Sequence, residues 1–190
     1  MAGKILQLKI VLDDIKPPIW RRIQVADSFT FHELHLSIQA VMGWYNYHLH
    51  EFTVGGIHIE DPKQVEDPNG IYVNSRKIRL SKFVAKEKLR FHYLYDFGDC
   101  WEHTITVEKV LEGDATKLPI CIDGIRACPP EDCGGSPGYE SLLEILADKD
   151  HTEHKEMKEW AGDDFDPECF DLKKANRRIG RYRSMENETL

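Results

Sequence analysis

Apolar and polar residues alternate at the start of the chain, which is typical of a strand with one buried face. The apolar positions share one parity and are Leu6, Leu8, Ile10 and Leu12. Two consecutive prolines, Pro17 and Pro18, interrupt this pattern. Residues 20–25 then fit a second strand, which we expect to pair antiparallel with the first after a longer connection.

A capping box marks the start of the first helix. Thr30 is followed three residues later by Glu33, and such a pair satisfies free backbone N–H groups at a helix N-terminus. The pattern predicts a helix that ends near Gly43. Its apolar face recurs at helical spacing and consists of Phe31, Leu34, Ile38 and Val41.

The middle of the chain predicts more strands. Residues 51–54 and 57–59 fit a hairpin, because two glycines lie between them and accept the positive φ angles of a tight turn. Two longer strands are predicted at 89–95 and 104–110. The segment 61–81, between the hairpin and these two strands, is polar and rich in turn-forming residues.

Beyond residue 135 the spacing of apolar residues predicts helices. A short helix holds Met157 and Trp160, and the last helix is predicted to start at Asp166 and Pro167. The expected fold class is therefore α+β: an antiparallel sheet of mixed strand order, one N-terminal helix packed on it, and a C-terminal group of helices. We expect residues 1–190 to form a single domain.

Composition narrows the class of protein. Hydrophobic residues make up 41% of the 190 residues, which is enough for a sizeable core. A formal net charge of -8 disfavours a protein whose main role is to coat nucleic acid. The sequence lacks an export signal and a transmembrane segment, so we expect a cytoplasmic protein without a membrane partner. Its five cysteines are then predicted to be thiols or metal ligands.

The densest polar motif spans residues 95–103. It contains three carboxylates, Asp96, Asp99 and Glu102, together with Cys100 and His103. A turn between two strands would bring these side chains to one rim of the sheet, where imidazole and carboxylate groups suit zinc, manganese or iron. Alternatively, the acids cap the turn and pair with lysine or arginine.

A second motif contains His48 and His50, which lie on the same side of the chain if the segment is a strand. If these rings meet His103 and an acid such as Asp96 or Asp99, they form a divalent metal site. The alternative is that hydrogen bonds to the backbone satisfy both rings.

Three cysteines, Cys121, Cys128 and Cys133, form a third motif within a loop rich in proline and glycine. Closely spaced thiolates resemble half of a structural zinc site, and buried apolar thiols are the alternative. A fourth motif is the basic helix near the end of the chain, in which Arg177, Arg178 and Arg181 are candidates for nucleic-acid binding. The alternative is that these arginines pair with the acidic segment that precedes them.

Several motifs in the same order together resemble the plasmid pRiA4b ORF-3-like family over residues 6–176. They are KPPIWRR (16–22), HLHEF (48–52), YDFGD (95–99), WEH (101–103), CPPEDCGG (128–135), EW (159–160) and FDPE (165–168). The resemblance implies an α+β fold and a prokaryotic protein of the kind found on chromosomes and mobile elements. It implies no established activity, although some relatives carry labels that suggest DNA-related partners. Cys100 stands where relatives are expected to have an acid.

We rank a non-catalytic binding or interaction module first, with an unknown protein or small molecule as partner, because no motif alone supplies a complete ligand set or nucleophile. The first alternative is a metal-dependent hydrolase. In that hypothesis His48, His50 and His103 bind a metal such as zinc, Asp96 or Asp99 completes the shell, and Glu102 is the general base. The second alternative is nucleic-acid binding through the basic helix.

Overall fold

The computed structural model describes residues 3–61, 72–84 and 86–187, and strands and helices account for most of them. Within these ranges there are eight strands and four α-helices. The strands are β1 (Gly3–Leu12), β2 (Ile19–Ala26), β3 (His50–Val54), β4 (Ile57–Glu60), β5 (Val73–Asn74), β6 (Arg90–Tyr95), β7 (Trp101–Gly113) and β8 (Ile120–Ile125). The helices are α1 (Phe31–Met42), α2 (Gly135–Ala147), α3 (His154–Ala161) and α4 (Leu172–Asn187).

The eight described strands form one sheet in the order β5-β4-β3-β6-β7-β1-β2-β8. All neighbouring strands run antiparallel except β4 and β5, which run parallel. This arrangement confirms the predicted α+β class with a sheet of mixed strand order. No helix in the described ranges has the length and apolar character needed to cross a membrane.

The two faces of the sheet differ in polarity because side chains alternate along each strand. Leu6, Leu8 and Ile10 are fully buried on one face, and α1 packs on that face through Phe31, whose ring lies 5.2 Å from that of Phe52. The opposite face of the central strands is polar and partly exposed. The sheet therefore has one covered face and one open face.

The helix α1 begins at the predicted capping box. The Thr30 hydroxyl accepts a hydrogen bond from the Glu33 N–H at 3.1 Å, and the Glu33 carboxylate accepts one from the Thr30 N–H at 2.6 Å. The helix ends at Gly43, whose φ of 100° is accessible to glycine at little cost. Both ends of α1 lie where the sequence predicts them.

We expect Thr30→Ala to destabilise the protein by about 1 kcal/mol, because it removes one partner of the cap. Thr30→Ser keeps the hydroxyl and should lose only a small part of that stability. Urea unfolding of both variants measures the difference, and equal losses would show that the hydroxyl does not stabilise the helix.

Some elements differ from the sequence prediction. Strand β8 lies in a segment that was expected to be a loop, and β7 is longer than the predicted 104–110. The last helix begins at Leu172 rather than at Asp166, because Asp166 caps a turn through Glu168 and the Pro167 carbonyl accepts a hydrogen bond from Ala127. Residues 62–71 of the predicted polar segment lie outside the described residues.

Three loops that carry sequence motifs leave the sheet at the same end. The pairs His50 with Tyr95 and Tyr95 with Trp101 place the start of β3 beside the β6–β7 turn. Toward the other edge of the sheet, Trp20 at the start of β2 pairs with Ile125 at the end of β8. This register brings loops 43–49, 96–100 and 126–134 to one rim.

Candidate functional site

The rim holds a cluster of three side chains, one from each loop. The Nδ1 atom of His48 lies 3.6 Å from Oδ2 of Asp96, and its Nε2 atom lies 3.0 Å from Oδ1 of Asp132. One ligand atom from each residue falls within 4.8 Å of the other two. Among the described residues, this is the group of His, Cys, Asp and Glu side chains that is arranged to hold a metal ion.

Local backbone geometry aims the two carboxylates at the ring. Asp96 and Asp132 have φ values of 58° and 61°, a left-handed conformation that aspartate tolerates better than most residues with a side chain. The other Asp96 oxygen, Oδ1, accepts a hydrogen bond from the Gly98 N–H at 2.9 Å and shapes the turn. Asp96 therefore fixes its loop with one oxygen and presents the other to His48.

The two carboxylates of the cluster attract a positive charge. A neutral imidazole has one N–H donor and one lone pair, so a carboxylate beside each ring nitrogen leaves one lone pair facing an oxygen. The Nε2 atom of His48 is shielded from solvent and makes no hydrogen bond of good geometry, although Asp132 is close. A cation bound between the ring and the carboxylates removes this repulsion.

Burial in the cluster is graded. Asp96 is buried, with 8% of its surface exposed. The side chains of His48 and Asp132 are 29% and 66% exposed. A cation held here would be anchored on the protein side and open to solvent on the other.

Another carboxylate, that of Glu131, connects the loops beside the cluster through two hydrogen bonds. The Tyr95 hydroxyl donates a hydrogen bond to Oε1 of Glu131, and the Tyr45 N–H donates one to Oε2 of the same side chain at 2.8 Å. The Tyr95 oxygen also accepts a hydrogen bond from the Tyr47 N–H at 3.2 Å. Burial and the adjacent Glu131 carboxylate raise the pKa of Tyr95, so this phenol is a hydrogen-bond donor at neutral pH.

A cleft of about 650 Å³ adjoins the cluster. Its walls come from loops 43–47 and 127–132, the end of α3 and the start of α4. Asp132 and Glu131 belong to both the cleft and the rim, and the exposed rings of Tyr45 and Trp160 lie at its edge. Its volume suits a small ligand.

His50, a predicted metal ligand, lies in the core instead of the rim cluster. Its ring stacks on that of His35 with centroids 3.5 Å apart and planes 4° apart, and the residue is 1% exposed. Burial lowers the pKa of His50 to about 3; His32 and Arg76 lower it further, and the Asp61 carboxylate opposes the shift. The ring is therefore neutral at physiological pH.

His103 is also fully buried. Its Nδ1 atom lies 2.9 Å from the Trp101 carbonyl oxygen, and its ring meets that of Trp44 edge-on. Burial lowers the pKa of His103 to about 4. The structure does not bring His103 into the group with His48 and Asp96.

The two remaining acids of the 95–103 motif have other positions. Oδ2 of Asp99 accepts a hydrogen bond from the Gly134 N–H at 3.1 Å, which joins the 96–100 turn to loop 126–134. Glu102 is exposed and alternates along β7 with buried Trp101 and His103, so it lies on the open face of the sheet. The candidate general base Glu102 therefore lies on the opposite face of the sheet from the rings of Trp101 and His103.

The three cysteines of the third motif are separated. Cys121 lies in β8, Cys128 is 3.2 Å from Nη2 of Arg21, and Cys133 lies near the start of α2. Burial raises the pKa of Cys121 to about 11 and that of Cys133 to about 12, and it also raises that of Cys128. These thiols are protonated at neutral pH.

The basic helix is partly engaged in packing. Arg178 donates a hydrogen bond to the Trp44 carbonyl at 2.8 Å and lies over the Tyr45 ring. Arg177 is exposed, with a guanidinium nitrogen 3.9 Å from the Asp171 carboxylate, and Arg181 is exposed on the same helix. Of the three arginines, Arg178 closes one wall of the cleft.

Sequence reasoning did not single out Asp132 and Glu131. Both lie in the Cys128–Cys133 motif, in which the spacing of the cysteines predicts zinc ligands and gives no role to the two acids between them. The available signal was a pair of carboxylates between prolines and glycines, which is a loop composition able to present side chains at a rim.

Comparisons with known proteins identify the family of this chain. A sequence model described as plasmid pRiA4b ORF-3-like protein matches residues 4–174. The uncharacterized protein y4hQ of Sinorhizobium fredii is 35% identical over 183 residues, which cover 94% of this chain and 92% of that protein. The crystal structure of MM3350 from Methanosarcina mazei Go1, a protein of unknown function, has a TM-score of 0.80 and 43% identity, covering 91% of this chain and 98% of that one. The chain therefore belongs to the plasmid pRiA4b ORF-3-like family, and these relatives are themselves described as uncharacterized or of unknown function.

Proposed function

We propose that this protein is a binding module that holds a divalent cation between His48, Asp96 and Asp132. The convergence of these three side chains from three separate loops supports the proposal. The two carboxylates attract the positive charge of the cation. It also ties together loops that the sequence leaves far apart, so cation binding orders the rim beside the cleft.

The donor set indicates the class of cation. One imidazole nitrogen with two carboxylate oxygens suits zinc, manganese or iron, whereas calcium and magnesium prefer oxygen ligands alone. Three protein ligands leave coordination positions for water or for a ligand atom. We infer that a small polar ligand enters the 650 Å³ cleft and completes the coordination.

This proposal predicts stoichiometric metal binding. Protein freed of metal with chelator and titrated with Zn²⁺ or Mn²⁺ in a calorimeter should bind about one equivalent at the cluster. His48→Ala and Asp96→Asn should each weaken the affinity at least tenfold, because each removes one of three protein ligands. His58→Ala, which removes an exposed histidine outside the cluster, should bind as the unchanged protein does.

Equal affinity in all four proteins would contradict the proposal. So would the absence of binding in the unchanged protein. Metal content measured after purification without chelator gives an independent reading of the same site.

The geometry favours binding over metal-dependent hydrolysis. Glu102, the base in that alternative, lies on the open face of the sheet. Glu131 is closer to the cluster, but Tyr95 and Tyr45 already use both of its oxygens. A hydrolase would therefore need another group to activate water.

We also propose a cytoplasmic location in a prokaryote and an association with mobile elements. All five cysteines are free thiols, which suits a reducing compartment. The relatives come from Sinorhizobium and Methanosarcina, both prokaryotes, and the family description refers to a plasmid.

A further inference from the structure

The open face of the sheet carries a basic groove, although the protein as a whole is acidic. The groove has a volume of about 670 Å³ and lies across β2, β1, β7 and β6. Its charged lining residues are Arg22, Lys88, Arg90, Lys109 and Glu108. Four cations and one carboxylate thus line this groove, in a chain whose formal net charge is -8.

Two of these cations, Arg22 and Arg90, lie with Lys9 in a row across the strands. Arg22 is directly opposite Lys9, Lys9 is opposite Thr106, and Thr106 is opposite Arg90. Residues paired in this way share one face of the sheet. Neighbouring strands are about 4.8 Å apart, so the row from Arg22 to Arg90 is about 14 Å long.

The single carboxylate in the groove is already neutralised. Arg22 contacts the two oxygens of Glu108 at 2.6 and 3.0 Å, and the Gln7 amide donates a third hydrogen bond at 2.9 Å. In the described ranges, no ion pair involves Lys88, Arg90 or Lys109. These three exposed cations are available for an anionic ligand.

An aromatic side chain extends the row at its β2 end. The Nζ atom of Lys9 and the guanidinium carbon of Arg22 each lie 5.0 Å from the centre of the Trp20 ring. Cations that follow a line beside an aromatic ring are the features by which proteins bind single-stranded nucleic acid. The Thr106 hydroxyl adds a neutral donor in the middle of the row.

We propose that this basic groove binds the phosphate backbone of single-stranded nucleic acid. An open, linear row of cations fits an extended polyanion better than a compact small molecule, which needs an enclosing pocket. The groove is separate from the cation site, because its side chains belong to the open face. It is also a better candidate than α4, where Arg178 packs on Tyr45 and Arg177 lies near Asp171.

Fluorescence anisotropy with a labelled oligothymidylate of about a dozen nucleotides tests this proposal, with salt increased stepwise from a low concentration. The double variant Lys88→Glu/Arg90→Glu should weaken binding at least tenfold. The control Arg177→Glu/Arg181→Glu changes the net charge equally on α4 and should stay within about twofold. Both variants alter exposed side chains, and circular dichroism checks that each is folded.

Log affinity should fall linearly with log salt, with a slope of about -2 for three phosphate contacts. Absence of binding at low salt, or a larger loss in the α4 control than in the groove variant, would overturn the proposal. A polyglutamate competitor of equal charge that displaces the oligonucleotide equally well would overturn the nucleic-acid assignment and indicate an acidic peptide. Displacement by duplex at lower concentration than by single strand would overturn the preference for a single strand.

Discussion

Between pH 6.5 and pH 4.5 the protein is expected to lose about 4.5 kcal/mol of stability through two buried histidines, His50 and His103. Burial lowers the pKa of the first to about 3 and of the second to about 4, from an ordinary value of 6.5. In this range the two histidines bind protons in the unfolded chain, whereas their buried rings stay neutral in the folded chain. Each histidine therefore destabilises the fold by about 1.4 kcal/mol per pH unit below 6.5.

The stacked partner His35 acts in the same direction, because burial and the adjacent His50 lower its pKa. A typical domain has only about 5–15 kcal/mol of stability, so acid unfolding should begin above pH 4. Carboxylates contribute at lower pH. The bond from Arg22 holds the pKa of Glu108 below its ordinary value of 4.5, so that stabilisation is present above pH 4.5 and is lost only below it.

Urea unfolding at several pH values, with chelator present to exclude bound metal, measures this effect. His103→Leu should reduce the slope of stability against pH by about 1.4 kcal/mol per unit, even if the variant is less stable at pH 7. His92→Leu, which removes a histidine that is exposed to solvent in the folded protein, is the matched control. Constant stability of the unchanged protein from pH 7 to pH 5 would contradict the burial of neutral rings.

Arg21→Ala is expected to destabilise the protein by about 3 kcal/mol or more. Arg21 is only 2% exposed. Its guanidinium donates hydrogen bonds to the carbonyls of Val41, Trp20 and Ile125 at 2.8–3.0 Å, and it stacks over the Phe170 ring at 4.1 Å. The substitution removes these three hydrogen bonds and opens a space between α1, β8 and the cleft.

The neighbouring residue provides a matched control. Arg22 lies on the open face and pairs with Glu108 and Asp123. Because salt bridges in such partly exposed positions contribute little, Arg22→Ala should cost about 1 kcal/mol or less. Equal losses for the two variants in urea unfolding would show that the buried hydrogen bonds of Arg21 do not hold the rim.

The sequence predicted those elements whose signals are local. The alternation in β1 and the capping box of α1 depend on residues close together in the chain, and both were found. Strand β8 was missed because it is an edge strand with Asp123 and Gly124 in its middle, residues that are unfavourable in strands. Its pairing with β2 and the side-chain amide of Asn176, which bonds both backbone groups of Cys121, stabilise it instead.

The candidate site was predictable only in part. Two of its three residues, His48 and Asp96, were predicted as site residues. The prediction that His48 and His50 lie on the same side rests on the alternation of side chains, which applies only within a strand. Strand β3 begins at His50, so the two rings separate, one at the rim and one in the core. Asp132 reaches the cluster because β8 carries loop 126–134 to the rim. Since β8 was not predicted, the contact of Asp132 with His48 could not be predicted either.

The most direct test of the cation site is anomalous diffraction from crystals of the unchanged protein grown with Zn²⁺ or Mn²⁺. The proposal predicts an anomalous peak about 2.0–2.3 Å from a ring nitrogen of His48 and from one oxygen each of Asp96 and Asp132. The contradicting result is no peak at this rim, with both nitrogens of His48 hydrogen-bonded to the two carboxylates.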